Sequence, residues 1–419
     1  MRILIHTVNF WPELTGTGRS AGEMATWLAS QGHEIRVVTA PPFYPEWRVR
    51  PEYSSWRYQI NLNGHSPRNM SVIRCPLWVP RTHSARRRLL HLASFAASSW
   101  PAVLAHVLWR PQVVIIIQPT LFCAPSALTL ARLVRAKAWL HIQDFEIDAA
   151  FELGLMSSAA AHKLALAVER FILKRCDRVS TISPKMVERL ETKGVVPSQC
   201  VLFPNSVDTD IIFPLRTVSP LRREIGIPDS AIVALYSGNM GEKQGLHHLA
   251  EAARSLVNRS EIRFVFCGAG NSKAKLTSLV GGSPNVTFLP LQPDDRLNDL
   301  FNLADIHLLP QRQDIADLVM PGKLREMFAS GRPVIATARP ETQIAACVQG
   351  RGLVVPPGDS TAIVSAICHL ADDAELRSRL GQEARKYAVT HLSRSRLMEQ
   401  FERSLTSVCQ DQGELTQHS

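Results

Sequence analysis

Two stretches in the second half of the chain carry the residue types from which an anion-binding site can be built. Gly238-Asn239-Met240-Gly241-Glu242-Lys243-Gln244-Gly245 follows an apolar run. The amides of such a turn can point at an anion, and Lys243 adds a formal charge. Further on, Pro321-Gly322-Lys323 opens a helical run. The free amides and the positive dipole end at a helix start suit a diphosphate, and Lys323 adds a second cation. Glu326 lies three residues later on the same run. Each feature alone is weak: a glycine-rich turn after a strand is about as often mere turn chemistry, and a single helical Glu is usually solvated. Their joint spacing within one half of the chain is what makes them a site.

The first half offers a smaller set. Thr15-Gly16-Thr17-Gly18 comes shortly after the first apolar run, and small residues there let a ligand approach the backbone. Gly16-x-Gly18 lacks the third glycine of a dinucleotide fingerprint, Ala21 standing in its place, which weakens an oxidoreductase reading without excluding it. His141-Ile142-Gln143-Asp144-Phe145-Glu146 follows another apolar run, so Asp144 is placed at a strand tip, with His141 and Gln143 on one face by strand alternation. A lone histidine of this kind is more often packed in a core than poised for proton transfer. There is no H-E-x-x-H motif, and the eight cysteines form no C-x-x-C. No metal is expected, and the thiols read as unpaired in a reducing compartment.

Elements must position these residues, and the chain supplies one pattern twice. Residues 2–7 read as an apolar strand, 20–30 as a helix with Met24 and Leu28 on one face and Gly32 as its stop, and 34–39 as the next strand. The order recurs after Pro204-Asn205-Ser206-Val207-Asp208: strand 231–236, loop 237–245, helix 246–256 and strand 262–267 closed by Gly268-Ala269-Gly270. Further strands are expected near 286–289, 305–309 and 333–336. The fold class is therefore α/β, with two tandem Rossmann-like, doubly wound parallel-sheet domains facing a cleft. Their expected bounds are 1–212 and 213–389, with a helix at about 390–410 packing back on the first. The ligand is expected in the cleft, at the C-terminal ends of the strands. A length of 419 residues suffices for two or three cores, and 45% apolar against 20% charged residues excludes a disordered chain.

Charge is placed unevenly. Residues 1–200 hold 24 Lys and Arg against 13 Asp and Glu, so the net charge of +10 belongs to the first half. No acid occurs between Glu52 and Asp144, an interval with eleven bases, among them Arg86-Arg87-Arg88 directly before the uncharged stretch 89–109. An anionic partner is implied. Bases dispersed through a segment rich in Leu, Ala and Trp suit a phospholipid surface at least as well as nucleic acid, for which no motif is present. Stretch 89–109 has the length of a membrane span, but Pro101, His91, His106 and three serines weaken it. A span there would also separate strands 35–38 and 113–117 of one sheet. A surface-lying amphipathic helix and a core helix pair are the two readings kept. Met1-Arg2-Ile3-Leu4-Ile5-His6 reaches polar residues too soon for a signal peptide, so a cytoplasmic protein, peripheral on the inner face of the plasma membrane, is expected.

These residues resemble the GT-B fold glycosyltransferases of the family 4 type. The likeness runs over essentially the whole chain, through the blocks 11–47 and 318–338. It is most specific at Glu326-Met327-Phe328-Ala329-Ser330-Gly331-Arg332-Pro333-Val334, similar to the family's E-A-x-A-x-G-x-P-V. The resemblance implies that Glu326 holds the ribose hydroxyls of a nucleoside diphosphate sugar. The family's second Glu, eight residues earlier, is Leu318 here, so Asp317 beside it or backbone amides would take the sugar hydroxyls. Residues 238–245 are similar to the family's phosphate loop, with Asn239 in the place of an Arg and Lys243 one residue out of register. Gly16 and Gly18 fall in its glycine loop, and Gln143-Asp144 where relatives often carry His-Asp. The implied catalytic residues are Asp144, Lys243 and Glu326; Gly16, Gly18, Gly238, Asn239, Lys243, Asp317, Gly322, Lys323 and Glu326 are the implied donor contacts. The implied reaction is retaining hexosyl transfer in exopolysaccharide biosynthesis. Its leaving diphosphate would be stabilised by Lys243, Lys323 and helix amides, with no metal and no cofactor beyond the nucleotide-sugar donor. The expected acceptor is a polyprenyl diphosphate-linked saccharide at an anionic membrane surface. Two other readings stay open. A nucleotide-sugar epimerase of the same fold would not need the basic first half, and a non-catalytic polyanion-binding protein sits poorly with the near-neutral second half.

Overall fold

The computed structural model describes residues 1–13, 16–44, 46–61, 67–80, 85–118, 121–148, 159–311 and 322–415. The chain forms two units, one of Met1–Pro204 with Met398–Ser419 and one of Asn205–Leu397. The first crossing falls at 204/205 and not at the expected 212/213. Val207 N donates to Leu392 O (2.8 Å) and Arg394 N to Val207 O (2.9 Å), while the Arg385 guanidinium donates to the Thr209 and Ile212 carbonyls. These bonds tie the stretch after Pro204 into the second unit.

The first unit is built on eight strands: β1 (Arg2–Thr7), β2 (Glu34–Thr39), β3 (Gln59–Asn61), β4 (Met70–Arg74), β5 (Val113–Ile117), β6 (Lys137–Ile142), β7 (Arg178–Thr181) and β8 (Cys200–Leu202). They lie in the order β3-β4-β2-β1-β5-β6-β7-β8, parallel apart from the edge strand β3. Ile3 sits opposite both Ile35 and Val113. β1 and β5 are buried on both faces, which is why they read as largely apolar runs. Since β2 and β5 both pair with β1, the segment between them cannot cross a bilayer. It forms the helix Ala85–Leu104, which takes Pro101 in its last turn. Phe95 and Val103 are buried on that helix, while Leu89, Leu90 and Trp100 stay exposed, so it packs into the unit along one side and leaves apolar side chains on its surface. No helix among the described residues is long and apolar enough to cross a membrane. The C-terminal helix Arg394–Leu415 stacks Phe401 on Phe203 (4.5 Å between centroids), sets it edge-on to Trp139, and joins Glu402 Oε1 to His33 Nε2 at 2.8 Å.

The second unit holds six parallel strands: β9 (Ile232–Ser237), β10 (Ile262–Cys267), β11 (Val286–Leu289), β12 (Ile306–Leu309), β13 (Val334–Thr337) and β14 (Gly352–Val355), in the order β11-β10-β9-β12-β13-β14. Tyr236, Phe264 and Phe266 are buried on these strands against Leu249, Ala253 and Ile367 of the covering helices. All eight cysteines are free thiols, five of them buried.

Candidate functional site

In the second unit β9 and β10 end side by side, and the loops that follow are zipped together. Gly238 N donates to Cys267 O (2.9 Å), Met240 N to Ala269 O (2.8 Å) and Ser272 N to Met240 O (2.9 Å). Such an approach requires glycine: a Cβ on Gly268 would lie 1.9 Å from Gly238 O, and one on Gly270 2.4 Å from Met240 O. Gly238 itself, at φ +133°, leaves its side-chain position to Lys323, whose Nζ lies 2.6 Å from where a Cβ would be. Lys323 Nζ donates to Ser237 O (2.9 Å) and stands 4.4 Å from the Tyr236 ring centroid. Tyr236 Oη donates to Asn239 O, so the residue in the family's arginine position is held by its backbone. Burial pulls the Lys323 ammonium down to about 8.

Lys323 directly precedes the helix Leu324–Ala329, which carries Glu326 on its first turn. Glu326 Oε1 accepts from Arg325 Nε (3.0 Å), whereas Oε2 is buried with no hydrogen-bond partner among the described residues. An unmet buried oxygen of this kind costs on the order of 1–3 kcal/mol, which a ligand hydroxyl would relieve. Gly322 is exposed beside Lys323. Lys243 sits in the 3-10 turn Glu242–Gln244, ended by Gly245 at φ +62°; its side chain, together with Asp317 and Pro321, lies outside the described residues.

In the first unit Gly16 opens the helix Gly16–Ser30 at φ +59°, with open space where a side chain would stand. A ligand can approach its backbone. Gly18 answers another need, because a Cβ there would lie 2.7 Å from Glu13 Cβ. Glu13 is buried and accepts from Asn9 Nδ2 (2.8 Å), Phe43 N (2.9 Å) and Tyr44 N (3.0 Å). Burial raises its carboxyl pKa, and these donors oppose the rise. Gly18 is thus small to admit an internal carboxylate, a reason different from the expected ligand approach.

Asp144 follows β6 and is mostly buried, which raises its carboxyl to about 6; Glu146 is raised by burial to about 7. Arg88, from the helix Ala85–Leu104, opposes both shifts. The segment is pinned from below. Lys193 Nζ lies 5.1 Å from the Phe145 ring centroid and donates to Asp148 Oδ1 (3.0 Å) and Glu169 Oε2 (2.5 Å), with Arg189 Nε on Asp148 Oδ2 (3.0 Å). His141 proves to be a core histidine. Its Nδ1 donates to Ser180 Oγ (2.9 Å), its Nε2 accepts from Gln143 Nε2 (2.8 Å), and burial lowers it to about 4, so it is neutral near pH 7.

Glu146 and Glu13 were not singled out by the sequence, and Arg88 only as one of three bases facing an anionic partner. Nor was the helix Ala159–Leu173, which exposes Leu164, Val168 and Phe171 at helical i, i+4, i+7 spacing beside exposed Lys163 and Arg170. That spacing is the signal that could have found it. Of the eleven bases in the acid-free interval, Arg74 is internal: it donates to the Ala40 and Trp11 carbonyls and faces Glu13. Composition therefore overstates the basic surface. The chain also holds one D-x-D, Asp208-Thr209-Asp210, which the metal-free expectation overlooked. Asp208 Oδ1 accepts from Asp210 N (3.0 Å) and Ile211 N (3.2 Å), and Oδ2 from Arg394, so it serves as a turn cap. Among the described residues no three or more His, Cys, Asp or Glu side chains are grouped to hold a metal ion.

Residues 15–206 match the family model of a glycosyl transferase 4-like domain, and residues 231–373 that of the glycosyl transferases group 1. WcaI of Escherichia coli K12, named as a colanic acid biosynthesis glycosyl transferase, is 40% identical over 418 residues, which cover 96% of this chain and 98% of WcaI. Among solved structures, sucrose-phosphate synthase from Thermosynechococcus elongatus superposes with a TM-score of 0.73 at 18% identity, over 97% of this chain and 99% of that one. HepE of Anabaena, solved with UDP, gives 0.70 at 15% identity, over 97% and 100%. At such identities the structural likeness speaks for the fold alone.

Proposed function

Because the chain belongs to the GT-B glycosyltransferases of the family 4 type, we propose that it is a retaining enzyme that moves a hexosyl group from a nucleoside diphosphate sugar to a lipid-linked saccharide, in assembly of an exopolysaccharide akin to colanic acid. The observation that carries the donor reading is the pair at the start of one short helix: a cation clasped at Gly238 and, within a turn, a buried carboxylate oxygen without a partner among the described residues. In this reading Lys323, Lys243 and the loop amides hold the diphosphate, and the ribose hydroxyls donate to Glu326 Oε2. Charge on the diphosphate grows as the glycosidic bond breaks, so the cations act mainly in the transition state. Retention then proceeds by front-face attack, with no protein nucleophile.

A thermal-shift panel of nucleoside diphosphate sugars tests the donor. Guanosine diphosphate fucose and mannose head it, with UDP-glucose, the ligand of a HepE structure, beside them. Stabilisation by none of these would remove the donor site, and conversion of a donor to its epimer without acceptor would turn the reading to an epimerase. Turnover is expected to persist in excess EDTA. Its loss in chelator, restored by Mg2+ or Mn2+, would remove the metal-free mechanism.

Asp144 acts in this reading as a carboxylate near the acceptor. A carboxyl raised to about 6 loses its charge as pH falls through that value, so turnover should fall there. Arg88→Ala removes the cation that opposes burial and should move this acid limb upward by about one pH unit; Asp144→Asn should abolish it. An acid limb unchanged in both variants would exclude Asp144.

The acceptor reading places the first unit on an anionic membrane. Support comes from exposed Arg86, Arg87 and Arg88 beside exposed Leu89 and Leu90, and from the apolar stripe of the helix Ala159–Leu173 with its flanking bases. Each base near such a surface contributes about 1 kcal/mol, and apolar burial adds to it. The protein should float with anionic vesicles and not with neutral ones, and changing Arg86, Arg87 and Arg88 to Glu should reduce flotation. Equal flotation of wild type and triple variant would remove this surface.

A further inference from the structure

The second unit has a cavity that the donor reading leaves unused. It measures about 500 Å3 and is lined by Arg332, Arg377, Arg385, Lys386 and Asp305, among others. Asp305 directly precedes β12 and Arg332 lies just before β13, so the cavity is at the N-terminal ends of the parallel strands. Gly238 and Gly268 follow the C-terminal ends of β9 and β10. The two places are at opposite edges of one sheet.

Four cations thus line one cavity, and its single carboxylate is already engaged. Asp305 Oδ2 accepts from Arg222 (2.6 Å) and from Val233 N (2.8 Å). Arg385 donates to the Thr209, Ile212 and Ala329 carbonyls, and Arg377 to those of Leu370 and Ala371. Those bonds fix the two guanidinium groups and leave their charge in place. Arg332 differs, because its Nε is buried with no hydrogen-bond partner among the described residues. Burial lowers its pKa; the Asp305 carboxylate opposes the shift, and Arg222 and Arg377 add to it. Glycines bring the walls together: a Cβ on Gly381 would lie 2.3 Å from Gly331 O, so the helix Ala374–Tyr387 lies directly on the turn before Arg332. Mutual repulsion and an unmet buried donor are costs that a bound anion would relieve.

We propose that this cavity binds the phosphate group of a small phosphorylated solute, independently of the donor site. A guanidinium fork matches phosphate oxygens two at a time, and the volume lies in the range of small-molecule sites. The buried position of Arg332 Nε favours a free solute over a headgroup held in a bilayer, although the phosphate chemistry is shared.

Inorganic phosphate titrated calorimetrically into the full chain, at low ionic strength in a phosphate-free buffer, tests the assignment. Arg332→Gln and Lys386→Gln should each weaken binding at least tenfold, both in the wild-type chain and in a Lys323→Ala background. Lys386 is exposed, so its variant keeps the test decisive if Arg332→Gln fails to fold. Undetectable binding at millimolar phosphate, or binding lost with Lys323→Ala and kept in both cavity variants, would overturn the proposal. Flotation on phosphatidylcholine vesicles containing phosphatidic acid should be the same for wild type and Arg332→Gln. Flotation that requires Arg332, without phosphate binding in solution, would overturn the free-solute assignment in favour of a headgroup.

Discussion

Glu326→Ala is expected to weaken donor binding by about 30- to 150-fold while leaving the fold intact. Two ribose hydroxyls donating to one carboxylate contribute on the order of 2–3 kcal/mol as charge-assisted hydrogen bonds, which converts to that factor. Stability should hold because the unliganded protein gains little from this side chain: Oε1 has Arg325 beside it, while Oε2 is buried without a donor among the described residues. Removing an unmet oxygen removes its desolvation penalty as well. Calorimetric titration of the preferred nucleoside diphosphate reads the affinity, and thermal melts without ligand read the fold. A deoxyribose analogue sharpens the comparison, since it should bind wild type weakly and lose little more in Glu326→Ala. Equal affinity of wild type and variant for the ribose form would show that Glu326 does not hold the donor.

Glu326 was legible as a candidate because its neighbours in sequence carry the pattern. The same holds for β1, β5, β9 and β10, whose largely apolar runs follow from burial on both faces. β3 is three residues long, with Gln59 and Asn61 around an exposed Ile60, and an edge strand of that kind leaves almost no apolar signal. The remaining misses share one cause, distance along the chain. Nothing near Gly18 in sequence says that Glu13 needs its space, and nothing near Asp144 says that Arg88 faces it across 56 residues. Charge counting failed at Arg74 for the same reason, since its carboxylate neighbour Glu13 lies outside the acid-free interval. Likewise the chain crosses between units at 204/205 because Val207 bonds with Leu392 and Arg394, partners that only the folded chain brings together.

Lys323→Met should make the unliganded protein more stable at pH 7 and lower turnover at least a hundredfold. Burial holds the Lys323 ammonium at about 8, below its ordinary 10.5. Below pH 8 the group is charged in both folded and unfolded chains, so the folded state bears the full penalty, on the order of 3 kcal/mol. Between pH 8 and 10.5 the unfolded chain holds the extra proton and wild-type stability rises with pH; above 10.5 the penalty is gone. Loss of the hydrogen bond to Ser237 O offsets about 1 kcal/mol, which leaves a net gain for methionine at neutral pH that shrinks as pH rises. A fold that keeps a charge at such a cost does so for a ligand of opposite sign. A bound diphosphate restores the ammonium, so wild-type donor affinity should fall as pH rises above about 8, while Lys323→Arg should show no such fall. Chemical denaturation at pH 7 and pH 10.5, read beside turnover at pH 7, measures both halves of the trade. A methionine variant as active as wild type, or less stable at pH 7, would show that Lys323 is held for the fold and not for the diphosphate.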